Sequence, residues 1–293
     1  MPILITGATG FLGVHLVRAL TAQGAEVRCL VRRDGVTALP PQARLYRGDV
    51  TACDSLHLPL DGVERVVHLA ATIQDPEDDT WTRVNYGGTL NLLEAAARAG
   101  VKHFLHVSAL GTAPEKRSPY AYSKWLAEET VKRGEIPYTI LRPSVIYGEG
   151  DRFITVLVWW LRTRWWLPRP PRGRVLLQPL WVEDMVQCVL RALDHGTSQA
   201  RTINLGGPER MSFGEVLETV MEVTGLRRPA IPVPPRLLRS LLRASGSHPL
   251  ILAGELGCLG RDSVTEPDVV ERTFGFRPQS LRAGLGRLGA MRT

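Results

Sequence analysis

Tyr120 and Lys124 stand four residues apart in the run Tyr120-Ala121-Tyr122-Ser123-Lys124-Trp125-Leu126-Ala127-Glu128, which reads as a helix. At that spacing the two side chains share one helical face. A free phenol titrates near about 10 and is a poor base at neutral pH. An ammonium beside it favours the phenolate and lowers that value. Tyr120 is therefore a candidate proton donor or acceptor at a substrate oxygen, with Lys124 as its activator. A second chemical group lies at the start of the chain, where Gly7, Gly10 and Gly13 follow the apolar run Ile3-Leu4-Ile5 at three-residue spacing. Gly7 admits a backbone shape that side chains forbid. Gly10 lets the chain approach a diphosphate, and Gly13 lets the next helix sit close to the strand. The helix mouth at Thr9, Gly10, Phe11 and Leu12 offers N–H groups and a partial positive charge to phosphate oxygens.

The elements that must position these groups alternate between strand and helix through the first two thirds of the chain. That order implies an α/β fold with a doubly wound parallel sheet of the Rossmann type. Leu12, Leu16, Val17 and Leu20 mark the buried face of the first helix. The second strand, Glu26 to Val31, ends in Arg32 and Arg33, where a dinucleotide's adenosine ribose lies. Arginines there suit a 2′-phosphate, so NADP(H) is favoured over NAD(H), although Asp34 leaves NAD(H) open. The third strand, near Ala43 to Tyr46, leads to Gly48-Asp49-Val50, where Asp49 is placed to bond the adenine amine. The fourth, Arg65 to Ala71, ends in Ala70 and Ala71, small enough to let the cofactor pass; His68 inside it reads as structural. A helix beginning at Val84 ends near Gly100, and the fifth strand runs from His103 to Ser108.

These motifs together resemble the extended short-chain dehydrogenase/reductase family of NAD(P)-dependent epimerases and dehydratases. The likeness rests on Thr6-Gly7-x-x-Gly10-Phe11-Leu12-Gly13, His68-Leu69-Ala70-Ala71, Asn85-x-x-Gly88-Thr89-x-Asn91, Tyr120-x-x-Ser123-Lys124, Leu141 to Gly148, Trp181-Val182-Glu183-Asp184-Met185 and Asn204 to Pro208. The resemblance implies that Lys124 also holds the nicotinamide ribose. It implies that Pro143, Ser144 and Val145 lie beside the nicotinamide ring, and that Asn85 stands near the active site. One position departs from the family pattern. The hydroxyl residue expected just after the fifth strand is Ala109, which leaves Ser108, shifted by one, or Thr112 to bond the substrate oxygen. The run Val107 to Gly111 and the tail Arg227 to Pro234 are most similar to an atypical subgroup, typified by the accessory NAD(P)-binding subunit of respiratory complex I. That subgroup implies an alternative role: a weakly active or inactive NADP(H)-binding structural or regulatory protein associated with a membrane or a quinone-linked complex.

The resemblance also implies interleaved domains: residues 1–150 and 173–206 for the nucleotide domain, 151–172 and 207–293 for a smaller substrate lid. Within the lid, Ser212 is placed to cap a helix from Phe213 to Thr224 that Gly225 ends. Pro229 to Pro235 reads as an extended connector, and a final helix ends around Leu288. The run Val156 to Arg169 holds Trp159, Trp160, Trp165 and Trp166, with Arg162, Arg164, Arg172 and Arg174 in and beyond it. Such a segment suits a lid helix packed on its own domain, a membrane interface, a protein partner, or a pocket for an apolar or quinone-like small molecule.

Composition narrows the classes. The chain has 293 residues, 44% of them hydrophobic and 22% charged, as in an ordinary globular protein. Its net charge is +7, with four lysines and the rest of the 36 basic residues arginine. No nucleic-acid module is visible. Cys29, Cys53, Cys188 and Cys258 show neither disulfide nor metal spacing, so no metal is expected and a cytoplasmic location is. A first strand at residue 3 leaves no room for a cleaved signal.

Overall fold

The computed structural model describes residues 2–73, 80–115, 118–169, 175–194, 200–234, 237 and 262–290. Arg172, Arg174, Pro235 and Cys258 lie outside them. Strands β1 (Ile3–Thr6), β2 (Val27–Val31), β3 (Arg44–Arg47), β4 (Arg65–His68), β5 (His103–Val107) and β6 (Tyr138–Pro143) enter one seven-stranded sheet. The sheet order is β11-β6-β5-β4-β1-β2-β3, with β11 spanning Arg201–Leu205. The β1–β2, β1–β4, β2–β3, β4–β5 and β5–β6 pairs run parallel. The chain passes from β1 to β2 on one side and returns to β4 on the other, so the strand order reverses beside β1. In open α/β sheets that crevice, at the carboxyl ends of the strands, is where ligands bind.

Helix α1 (Phe11–Ala22) buries Leu12, Leu16, Val17 and Leu20, the face its spacing predicts. Helix α2 (His57–Leu60) is a single turn. A π-helical segment at Thr82–Gly87 opens α3 (Gly88–Arg98), whose Leu92, Leu93, Ala95 and Ala96 pack with Leu4, Val66, Phe104 and Ile140 of the sheet. Each large apolar side chain fully buried there contributes roughly 2 kcal/mol. Helix α4 (Pro119–Arg133) begins with Ser118 accepting from the Ala121 N–H.

Contacts divide the chain into two compact units: residues 1–142 with 186–203, and residues 143–185 with 204–293. The first and last boundaries fall earlier than residues 150 and 206, and the middle one falls later, after residue 185 rather than 172. The reason is local pairing: β7 (Ile146–Tyr147) runs parallel to β10 (Leu180–Trp181) and joins the second unit. That unit also holds α5 (Ile154–Thr163), β8 (Leu167–Arg169), β9 (Leu176–Leu177), β12 (Met211–Ser212), α7 (Phe213–Thr224), β13 (Ala230–Pro232), α8 (Val269–Phe274) and α9 (Leu281–Ala290). Helix α6 (Val182–Asp194) crosses the boundary. The second unit's core is rich in rings: Tyr147, Phe153, Trp160, Trp181 and Phe213. Its α7 carries the expected cap at Ser212 and stop at Gly225. The proline run expected as a connector instead pairs in part, β13 lying parallel to β8. Among the described residues, no helix is long and apolar enough to cross a membrane, and no cluster of metal-ligating side chains occurs.

Candidate functional site

The glycine loop forms a tight turn in which the Gly10 N–H bonds the Gly7 carbonyl at 2.9 Å. Gly7 has φ +70°, and a Cβ there would lie 2.7 Å from the Ala70 nitrogen. A Cβ on Gly13 would sit 2.3 Å from the Gly7 oxygen, so only glycine lets α1 approach the loop. The N-cap is Gly10, without a side chain to cap the helix, and the first turn has no acidic residue. The helix mouth at Phe11 and Leu12 thus presents backbone N–H groups with no side-chain acceptor from the cap, and Thr9 and Gly10 are exposed beside it. A cradle that a Cβ would fill, at an uncapped helix end, fits a dinucleotide diphosphate.

The positions expected around the adenosine are spread along the same sheet edge. Val31 is buried at the end of β2, while Arg32 and Arg33 are exposed. The Asp34 carboxylate is engaged by Arg47 of β3 at 3.1 Å. Asp49 is half-buried, and its Oδ1 accepts from the N–H and hydroxyl of Thr51 at 2.9 and 2.8 Å. Val50 is buried and its carbonyl accepts from Asn91 at 3.0 Å. Ala70 and Ala71 follow β4, half-buried and exposed respectively.

On α4, Tyr120 is half-buried and Lys124 is buried one turn later. The Lys124 ammonium donates to the Val107 carbonyl at the end of β5, at 2.8 Å. Burial pulls its pKa down to about 8, and the nearby Glu128 carboxylate offsets part of that fall. Asn85 lies in the π-helical segment. Its side chain donates to the Thr72 carbonyl and the Ser123 hydroxyl and accepts from the Thr72 N–H, clipping the loop after β4 to α4. The Thr112 hydroxyl donates to Glu128 at 3.2 Å. Ser108 Oγ is buried and makes no hydrogen bond of standard geometry, yet stands close enough to Glu128 to help hold that carboxyl low. Pro143, Ser144 and Val145 belong to the second unit, where the Ser144 hydroxyl donates to the Ser263 carbonyl at 2.6 Å.

Residues 3–206 match the family described as "NAD dependent epimerase/dehydratase family". The chain belongs to this family. It is accordingly a nicotinamide-dependent oxidoreductase enzyme. The chain is 34% identical over 273 residues to sterol demethylase protein B of Methylococcus capsulatus, covering 82% of this chain and 80% of that one. It is 28% identical to the mitochondrial NADH dehydrogenase [ubiquinone] 1 alpha subcomplex subunit 9 of Arabidopsis thaliana, over 75% of this chain and 57% of that protein. Among solved structures, MoeE5 in complex with UDP-glucuronic acid and NAD matches with a TM-score of 0.80 at 25% identity, covering 100% of both chains.

Two features of this epimerase/dehydratase-family protein escape sequence reasoning. The first is an ion pair between Glu128, fully buried on α4, and Arg142 of β6, in which Arg142 Nε donates to Glu128 Oε1 at 2.8 Å. Burial pushes the Glu128 carboxyl up, but the hydrogen bond from Arg142, the proximity of the Ser108 hydroxyl and the charges of Arg142 and Lys132 bring it below its usual range. The signal was present as a third member of the four-residue series Tyr120, Lys124, Glu128. The second is a polar row across the sheet: Thr6, His68 and His106 stand in register on β1, β4 and β5. His68 bonds Thr6 Oγ1 at 2.6 Å and Thr89 Oγ1 at 2.9 Å, and burial followed by the Lys124 charge lowers its pKa to about 3. It is neutral and structural. His106 lies 5.2 Å from it, ring to ring, with both nitrogens unpartnered.

Proposed function

We propose that the protein interconverts a secondary alcohol and a ketone on an apolar, sterol-like or quinone-like small molecule, using NADP(H) in preference to NAD(H). The observation that carries this reading is the pair Tyr120 and Lys124 on successive turns of α4, with the Lys124 ammonium fixed at the end of β5. Tyr120 gives its phenolic proton to the substrate oxygen in reduction and takes it back in oxidation. Lys124, while charged, favours the phenolate over the neutral phenol as the proton leaves. The loop from Gly7 to Gly13 holds the diphosphate, and Arg32 and Arg33 bind the 2′-phosphate, a reading supported by the engagement of Asp34 with Arg47. A bound nicotinamide ring supplies hydride exchange at the substrate carbon. Ser108, buried just after β5 and without a hydrogen bond of standard geometry, is the hydroxyl offered to the substrate oxygen. The substrate class is supported by the sterol named in the relative that aligns over most of its length. Ala109 and the commitment of Thr112 to Glu128 favour a second reading, a nucleotide-binding regulatory protein with little turnover.

One experiment decides between them. Sterol ketones, quinones and nucleotide sugars are offered with NADPH while its absorbance is followed, for the wild type and Tyr120→Phe. The expected result is turnover of an apolar ketone that falls by about 10²- to 10⁴-fold in the variant. NADPH titration should be unchanged by the substitution and tighter than NADH titration. Full turnover in Tyr120→Phe would remove the assigned role.

A further inference from the structure

The second unit presents an exposed strip that the chemistry above does not use. Among the described residues, Trp159, Trp165, Ile231 and Leu237 are the large apolar side chains left exposed in this unit, Trp165 to 71%. The tryptophan segment divides by side. Trp160 and Leu161 are buried in the aromatic core, and the Trp160 indole N–H donates to the Trp166 carbonyl at 2.8 Å. Trp159 and Arg162, three apart on α5, are exposed. Rings connect the outer members to the inner: Trp159 to Trp160, Trp160 to Trp166 and Trp166 to Trp165 at centroid distances of 6.1, 6.2 and 6.4 Å. Ile231 is brought to the same edge by the parallel pairing of β13 with β8, opposite Pro168, and Arg228 Nε bonds the Arg164 carbonyl at 2.9 Å.

Charge is sorted along this edge. No Asp or Glu occurs between Asp151 and Glu183, a stretch holding Arg152, Arg162, Arg164 and Arg169 among its arginines. None occurs between Glu222 and Glu255, where Arg227 and Arg228 lie. The β8–β13 pairing sets these two acid-free stretches side by side. Glu218 and Glu222 of α7 border the strip in a groove shared with Arg227 and Arg228, and Glu222 is itself paired with Arg282.

We infer that this strip docks on the surface of an anionic phospholipid bilayer, with Trp159, Trp165 and Ile231 entering the headgroup boundary and Arg162, Arg164 and Arg227 meeting lipid phosphates. Indole rings favour that boundary because one edge is polar and the rest apolar, while arginine keeps its charge in water above buried methylenes. Charge complementarity selects this occupant over a neutral apolar partner, since two adjoining stretches that carry arginines and no carboxylates are attracted to anionic headgroups. Docking needs neither Tyr120 nor the dinucleotide, so it stands apart from the proposed reaction.

The test is co-sedimentation of the full chain with vesicles of phosphatidylcholine and phosphatidylglycerol, and with phosphatidylcholine alone. Binding is expected to the charged vesicles and to weaken with salt. Replacing Arg162→Gln and Arg164→Gln together should lower it about thirtyfold. Trp165→Ala with Ile231→Ser should lower it as well, with the far-ultraviolet circular dichroism and the melting temperature unchanged. Brominated lipid chains should quench tryptophan fluorescence in the wild type, a readout that needs no variant. Four results would each overturn the inference: no binding to charged vesicles at low salt, equal binding to neutral ones, undiminished binding by the variants, or a lipid-free dimer that Trp165→Ala with Ile231→Ser dissociates. The last would make the strip an interface between copies of this chain.

Discussion

The two units bury polar side chains in different ways. In the second unit they pin backbone. Asp151 accepts from the N–H groups of Gly148, Phe153 and Thr155. Gln178 bonds the Gly207 carbonyl and the Thr265 N–H, and Asp184 accepts from Gln279. In the first unit some also reach backbone, Asn85 at Thr72 and Lys124 at Val107, but others face one another or nothing: Glu128 with Arg142, His68 with two threonines, and His106 and Ser108 Oγ without standard partners. Among the described residues, the second unit's corresponding orphan is Trp181 Nε1. Buried polar atoms are ordinarily satisfied, because leaving one dry costs roughly 1–3 kcal/mol. Their concentration around α4 and β5 marks the part of the molecule where stability is given up to keep charge and proton-bearing groups together.

The sharpest way to break that contrast is to remove one member of the first unit's ion pair. Glu128→Ala leaves the Arg142 guanidinium, three-quarters buried, facing a cavity. The loss should be about 3 kcal/mol, because an uncompensated charge remains in a dry site. Urea unfolding measures it through the midpoint at constant slope. A change below about 1 kcal/mol would mean that water reaches Arg142 and that the pair is a surface feature.

The histidines sharpen the same contrast through pH. His68 is lowered to about 3 and His103 to about 4, each chiefly by burial, and His106 is lowered well below its ordinary value for the same reason. In the unfolded chain all three take up protons near about 6.5. The folded chain resists until far lower pH, so the unfolded state binds more protons and stability falls as pH drops below 6.5. The decline should continue toward pH 4, at roughly 1.4 kcal/mol per pH unit for each histidine involved. His106→Leu removes one of the three and, since neither ring nitrogen has a partner, leaves no acceptor bereft. It should stabilise the protein at pH 5 relative to the wild type by more than at pH 8. An equal effect at both values would show that His106 is not dry.

Much of this organisation was legible from residue order. The stripe Leu12, Leu16, Val17 and Leu20, the three glycines, and Ser212 with Gly225 are local signals, each decided within a few residues, and each has its expected counterpart in the fold. What escaped was decided across the chain. Arg142 meets Glu128 because β6 enters the sheet beside β5, and nothing in the run Leu141-Arg142-Pro143 announces it. The proline-rich stretch lacks the alternation of a strand, yet Ala230–Pro232 pairs with Leu167–Arg169 some sixty residues earlier. The tryptophan run carries both outcomes at once: Trp160 is core and Trp165 surface, which a reading of the segment as one object could not separate.

The smallest effect belongs to the second unit and to a signal fully readable in sequence. Ser212 accepts from the Glu215 N–H at 3.2 Å, and the Glu215 carboxylate accepts from the Ser212 N–H at 2.7 Å. Those bonds, backbone first, hold the Glu215 carboxyl below its usual range although the side chain is exposed. Ser212→Ala removes one arm of this box and leaves the other, because the Ser212 N–H remains. The cost should be about 1 kcal/mol, at the middle of the range for caps. Dinucleotide affinity should not move, since the glycine loop belongs to the first unit and α7 to the second. If Ser212→Ala weakened NADPH binding as well as stability, α7 would be coupled to the glycine loop, and the division between a unit that pins its backbone and a unit that holds its charges ready would have to be redrawn with α7 on the catalytic side.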